Sequence, residues 1–288
     1  MAGTTDMQLD LESLAAVSRR IGARTGYIQG GGGNTSLKDD RGRMAIKASG
    51  VTLATIEAGT GFIPLDAGAL REGLVDCHDE TAYGVLLRRC VLDAGETRRP
   101  SIESGFHALM GACVIHTHSV WANLLTCSQE GRARARDILP DALWVGYATP
   151  GIALTRLVAE TMGGARPQIV LLENHGLVVA GPDPEATATL HEEVNRTVID
   201  AFGRDLPFPW PGDIAEEDED LLFPDQAVYT CDPALRSSQA GIETRQAVSF
   251  LLAAMASLKL SPHFLSAAER SKLVNLESEK YRQKMVRA

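Results

Sequence analysis

His116 and His118 stand two residues apart in the apolar stretch Val114-Ile115-His116-Thr117-His118-Ser119, and His175 follows Glu173-Asn174 and precedes Gly176. Residues two apart on a strand point to the same face, so His116 and His118 can reach one ion from a rigid scaffold. A single histidine reads most simply as a satisfied core or surface residue. A His-x-His pair on an apolar strand is harder to place that way, because burying two imidazoles without a partner is costly. Three imidazoles and one open position are what a catalytic divalent cation needs. Nitrogen ligands point first to Zn2+, with Mn2+, Fe2+ or Co2+ as alternatives.

Upstream lies Pro100-Ser101-Ile102-Glu103-Ser104-Gly105-Phe106-His107. Glu103 could be a fourth ligand, or a general acid/base whose pKa is raised by desolvation. Its structural alternative is an ordinary first-turn glutamate that favours the helix dipole. A third element is Gly30-Gly31-Gly32-Gly33-Asn34-Thr35-Ser36. Successive backbone N–H groups in a glycine loop can form an anion-binding nest. Asn34, Ser49, Gly50, Lys38 and Lys47 could add donors. The run has neither Walker A spacing nor a dinucleotide fingerprint, and a flexible turn is its bland reading.

These residues need elements to hold them. Apolar spacing predicts an amphipathic helix over residues 9–23 and helices over 79–92, 102–110, 120–127 and 184–202. Short apolar runs predict strands at 44–48, 62–65 and 113–116. Residues 169–172 and 177–180, joined by Glu-Asn-His-Gly, read as a hairpin or tight turn between buried strands. Near residue 204 the composition changes to a proline cluster (Pro207, Pro209, Pro211) and an acidic run, Glu216 to Asp220. This divides the chain into a catalytic domain, 1–204, and a C-terminal extension, 205–288, with helices expected over 243–259 and 266–285.

The 288 residues are 44% hydrophobic and 23% charged, as in a globular protein with a real core. A net charge of −9 argues against a nucleic-acid surface, which needs a basic patch. Five cysteines without paired spacing fit a reducing compartment. No signal-peptide pattern opens the chain and no apolar run spans a membrane. A cytoplasmic protein without nucleic-acid or membrane contact is expected.

Taken together and in this order, Gly-Gly-Asn34-Thr35-Ser36, Lys47-Ala48-Ser49-Gly50, Pro100-Ser101-x-Glu103, His116-x-His118, Gly146-Tyr147-Ala148-Thr149-Pro150-Gly151 and Glu173-Asn174-His175-Gly176 resemble the signatures of the class II aldolase/adducin family. The likeness covers roughly residues 14–203. It is nearest to the aldolase half of bifunctional rhamnulose-phosphate aldolase/dehydrogenases, with no dehydrogenase half expected in this sequence. The resemblance implies an α/β fold, a three-layer α/β/α arrangement with a central, mainly antiparallel sheet. It also implies a homotetramer with active sites at subunit interfaces and a small sugar or sugar phosphate as substrate. On it, His116, His118 and His175 hold zinc and Glu103 is the acid/base that also ligates the resting metal. Asn34, Ser49, Gly50 and Ser101 surround the substrate phosphate, and Tyr147 is a proton donor at the neighbouring subunit's site. One departure is Ile102, where phosphate-using members carry a second serine; Lys47 would supply charge instead. A tail tyrosine acts in some members, and Tyr229 and Tyr281 are equal candidates.

The expected reaction is reversible retro-aldol cleavage of a ketose or ketose 1-phosphate to dihydroxyacetone (phosphate) and a short aldehyde. Decarboxylases, epimerases and dehydratases of the same fold are the alternatives. Epimerases resemble Pro-Ser-Ser-Asp at the acid/base position, so Glu103 speaks against that one. An adducin-like interaction module would lose the metal ligands, which are all present here.

Overall fold

Seven short runs pair into one sheet: β1 (Asn34–Lys38), β2 (Arg43–Lys47), β3 (Phe62–Asp66), β4 (Cys113–Thr117), β5 (Leu143–Val145), β6 (Ile169–Leu172) and β7 (Gly176–Gly181). The computed structural model describes residues 9–202, 206–212 and 220–276. The strand order is β3-β2-β1-β4-β7-β6-β5. Every neighbouring pair is antiparallel except β5 and β6, which run parallel. The mainly antiparallel sheet that the resemblance implied is therefore present.

β4 sits at the centre and is buried along its whole length, which is why it reads as a continuous apolar run. Its side chains alternate between two cores, as the period of a strand requires. Cys113 and Ile115, with Leu177 and Val179 of β7, face a cluster filled by Leu14, Ile21, Val194 and Val198 from the helices Leu11–Gly22 and Pro184–Ala201. Val114, with Val178 and Ala180, faces Phe106, Leu154 and Val158 from the helices Ser104–Leu109 and Ile152–Met162. His116 and His118 share the parity of Val114.

Helix starts follow their caps. Asp10, Asp79 and Asp183 each accept from the backbone N–H three residues on, which satisfies an otherwise orphaned donor. The hairpin between β6 and β7 turns through Glu173, Asn174 and His175, with Asn174 at φ 50°. Asparagine is among the few residues that enter this left-handed region readily. The helices Ala67–Gly73, Gly131–Ile138, Ile152–Met162 and Pro224–Tyr229 and the strands β1 and β5 are additions to the sequence reading.

The extension packs onto the sheet domain. Leu222, Phe223, Phe250, Leu251 and Met255 form one cluster with Val120 and Leu124 of the helix Val120–Thr126 and with Cys127, which follows it. Of the acidic run, Glu216 to Glu219 lie outside the described residues. So does the end of the last predicted helix, which is seen from Ala267 to Asn275. No helix among the described residues is long and apolar enough to cross a membrane.

Candidate metal centre

β4 carries His116 and ends one residue before His118, while His175 closes the adjacent hairpin. All three are buried, and each could offer one ligand atom, these atoms lying within 4.8 Å of one another. The ring centroids are 4.9–5.0 Å apart. The structure thus brings together the three histidines that the sequence singles out.

Their hydrogen-bond partners assign the tautomers. His116 Nδ1–H donates to the Leu177 carbonyl oxygen at 3.0 Å. His118 Nδ1–H donates to Asp225 Oδ2 at 2.5 Å. The two Nε2 lone pairs then face each other at 3.2 Å, with no proton to share. Glu103 approaches the same point: Oε1 is 3.2 Å from His175 Nε2 and Oε2 is 3.5 Å from His116 Nε2. Glu103 Oε1 is buried without a hydrogen-bond donor. Facing acceptors and an orphaned carboxylate oxygen are a donor set that fits a divalent cation.

The electrostatics agree. Burial holds His116 in its neutral, ligating form, its pKa pushed down to about 3 against the pull of Glu103. Burial works against ionisation of Glu103, but the surrounding imidazoles of His116, His175 and His118 win and hold its carboxyl well below the usual range. An ionised Glu103 beside the neutral His116 makes a site that favours positive charge.

Beside this point lies a cleft lined by Lys47, Ser49, Gly50, Ser101, Ile102 and Pro150 together with Glu103, His118 and His175. Asn34 reaches the cleft as well, but its amide is turned inward. Nδ2 donates to Glu103 Oε2 at 2.6 Å and to Ser101 Oγ at 3.1 Å. Its Oδ1 accepts from His107 Nε2, and Ser36 Oγ donates to His107 Nδ1 at 2.8 Å. Asn34 comes opposite His116 in the β1–β4 register, which sets this geometry. Lys47 is buried and donates to the Gly31 carbonyl at 3.1 Å. Lys38 turns away from the cleft, donating to the His107 carbonyl at 2.5 Å; burial pushes its pKa down to about 7.

Tyr147 is not among the cleft-lining residues. It packs below the extension against Leu221, Ala227, Leu265 and Leu273. Two buried residues join the site without having been assigned a role from sequence. His107 lies four residues after Glu103, a helical spacing that could have flagged it. Asp225 follows Phe223-Pro224, which marks only a helix start.

A family model described as Class II Aldolase and Adducin N-terminal domain matches residues 12–198. An uncharacterized oxidoreductase, YuxG of Bacillus subtilis (strain 168), is 32% identical over 210 residues, 67% of this chain and 30% of its own length. Methylthioribulose-1-phosphate dehydratase of Sodalis glossinidius (strain morsitans) is 30% identical over 131 residues, 43% of this chain and 52% of its own. The chain therefore spans about a third and about half of these two curated relatives. A solved N-terminal class II aldolase domain of a conserved protein from Thermoplasma acidophilum shares the fold, with TM-score 0.60 and 24% identity over 71% of this chain and 98% of that one.

Proposed function

The chain belongs to the class II aldolase and adducin family, and on that premise we propose that it is a zinc-dependent carbon–carbon lyase. The reaction is reversible retro-aldol cleavage of a ketose or ketose 1-phosphate to dihydroxyacetone (phosphate) and a short aldehyde. The observation that carries this reading is the convergence of His116, His118, His175 and the undonated Glu103 Oε1 on one buried point.

His116, His118 and His175 would hold the cation, with Glu103 beside them. A cation bound there supplies the positive charge that stabilises the oxyanion developing as the carbon–carbon bond breaks. In the synthetic direction the ionised Glu103 takes a proton from the carbon that attacks, and in cleavage it hands a proton taken up from solvent to the carbon freed. Asn34 holds Glu103 Oε2 in place by its amide hydrogen bond. Lys47, Ser49, Gly50 and Ser101, which line the cleft, would receive the anionic group of the substrate. Ser101 Oγ accepts from Asn34 and from the Glu103 backbone N–H, which leaves its own proton to donate to substrate. Tyr147 serves a neighbouring subunit's site in a homotetramer, taking the proton of the aldehyde-side hydroxyl in cleavage and returning it in synthesis.

A dehydratase is the second reading, because one relative is a methylthioribulose-1-phosphate dehydratase. The two part in a single experiment. A panel of ketose 1-phosphates and free ketoses is incubated with zinc-loaded protein, and both dihydroxyacetone (phosphate) and dehydrated ketone products are quantified. Cleavage product establishes the lyase. Dehydrated product without cleavage replaces it with the dehydratase.

A further inference from the structure

Asp225 lies on the helix Pro224–Tyr229, beyond the matched residues 12–198. Its side chain is fully buried and its Oδ2 stands 2.5 Å from His118 Nδ1. A buried carboxylate is costly unless positive charge compensates it. A cation on the far nitrogen of the same ring would add positive charge to this pair.

The same bond decides which way His118 works. With Nδ1 committed to Asp225, Nε2 must carry the lone pair, and it points at His116 Nε2. A carboxylate behind a ligating imidazole fixes its tautomer and orientation and raises its basicity as a ligand. His116 takes the corresponding bond from the Leu177 backbone, whereas His118 takes it from a side chain. The glycine loop leaves room for the pair: a Cβ on Gly32 would stand 2.5 Å from Asp225 Oδ2 and 2.8 Å from His118 Nδ1. The extension also pins that loop, since Tyr229 Oη accepts from Gly31 N–H at 3.0 Å and Glu243 Oε2 from Gly30 N–H at 2.8 Å.

We propose that Asp225 is a positioning residue of the metal centre, which fixes the tautomer and aim of His118 and makes metal affinity depend on the C-terminal extension. This rests on the metal reading above. The test is zinc affinity of the full-length chain, by competition with a chromophoric chelator, for wild type, Asp225→Asn and Asp232→Asn, which alters the cap of the helix Pro233–Arg236. Asp225→Asn keeps the volume and removes the charge. Its affinity should fall by about 10–100-fold, with unchanged circular dichroism, while Asp232→Asn stays at the wild-type value. Equal affinity for Asp225→Asn and wild type would overturn the proposal.

Should Asp225→Asn not fold, imidazole 15N–1H spectra of the wild type decide the matter. A protonated Nδ1 on His118, strongly downfield and retained on zinc loading, supports the role; an Nε2–H tautomer removes it. Failure of the two readings looks different. Zinc binding that depends on Asp225 without carbonyl product sinks only the lyase, and tight zinc binding indifferent to Asp225 sinks only the positioning role. A wild type that binds no zinc sinks both.

Discussion

Glu103 carries its two oxygens into different surroundings. Oε2 is held by the Asn34 amide, and Oε1 has no donor and faces His175. Glu103→Gln retains a neutral oxygen at the centre but loses the proton carrier. Zinc content should stay near wild type while kcat falls by about 10²–10⁴-fold; near-normal turnover would remove Glu103 from its role. Lys47 is the one lysine lining the cleft among the described residues. For Lys47→Met, KM should rise by about 10–100-fold for a phosphorylated substrate, the loss of one charged hydrogen bond, with little change for its unphosphorylated counterpart. Equal effects on both would show that Lys47 does not read the anion. The convergence of His116, His118 and His175 was legible in residue type and spacing, whereas spacing left Glu103 open between an acid/base and a first-turn helix residue. The inward turn of Asn34 was not legible. It depends on His107, which the chain sets 73 residues away, and on a strand register no local pattern reveals.

At the scale of elements, the centre depends on how closely β7 approaches the end of β4. Gly176 begins β7, and an added Cβ would collide with the Thr117 carbonyl oxygen and press within 3.3 Å of the His118 Cα. Gly176→Ala should cost about 1–3 kcal/mol by overpacking, lower Tm by several degrees, and weaken zinc binding by shifting His118 and His175 together. A variant with normal Tm and normal affinity would contradict that account. β4 is also tied to the helix Pro184–Ala201, where Thr117 Oγ1 donates to His191 Nε2 at 2.8 Å. Burial pushes the His191 imidazole down to about 4. The unfolded chain takes up this proton near pH 6.5 and the folded chain only near 4. The contribution is thus complete above pH 6.5 and lost as pH falls toward 4, roughly 3 kcal/mol at full effect. Tm measured from pH 7.5 to 4.5 should decline in that window, and His191→Gln should flatten the slope; an unchanged slope would clear His191. Apolar runs and aspartate caps made most helices and the central strands legible. β1 was hidden because most of its buried residues, Asn34, Thr35 and Ser36, are polar and a hydrophobic pattern passes over them, and β5 because it is only three residues long, two of them half-covered.

For the molecule as a whole, the sequence marks a shift in composition near residue 204, but not where the residues beyond it pack. The apolar ones among them read as generic helices, and only packing against Val120, Leu124 and Cys127 gives them a place. Tyr147 raises the question of assembly, since it lies apart from this chain's cleft and is proposed to act across a subunit interface. Glu103→Gln and Tyr147→Phe subunits, each inactive alone, should regain turnover when unfolded and refolded together, because mixed assemblies pair one intact Glu103 with one intact Tyr147. No recovery, with mixed oligomers demonstrated, would confine Tyr147 to its own chain. The central claim is that the three histidines and Glu103 form a metal centre that breaks a carbon–carbon bond. Its most direct test is to strip the protein with a chelator, add zinc back in steps, and follow dihydroxyacetone (phosphate) release at each step. Release that is absent in the stripped protein and rises to a plateau at one zinc per chain is the predicted result. Release that survives the chelator, or none with zinc fully bound, would contradict it.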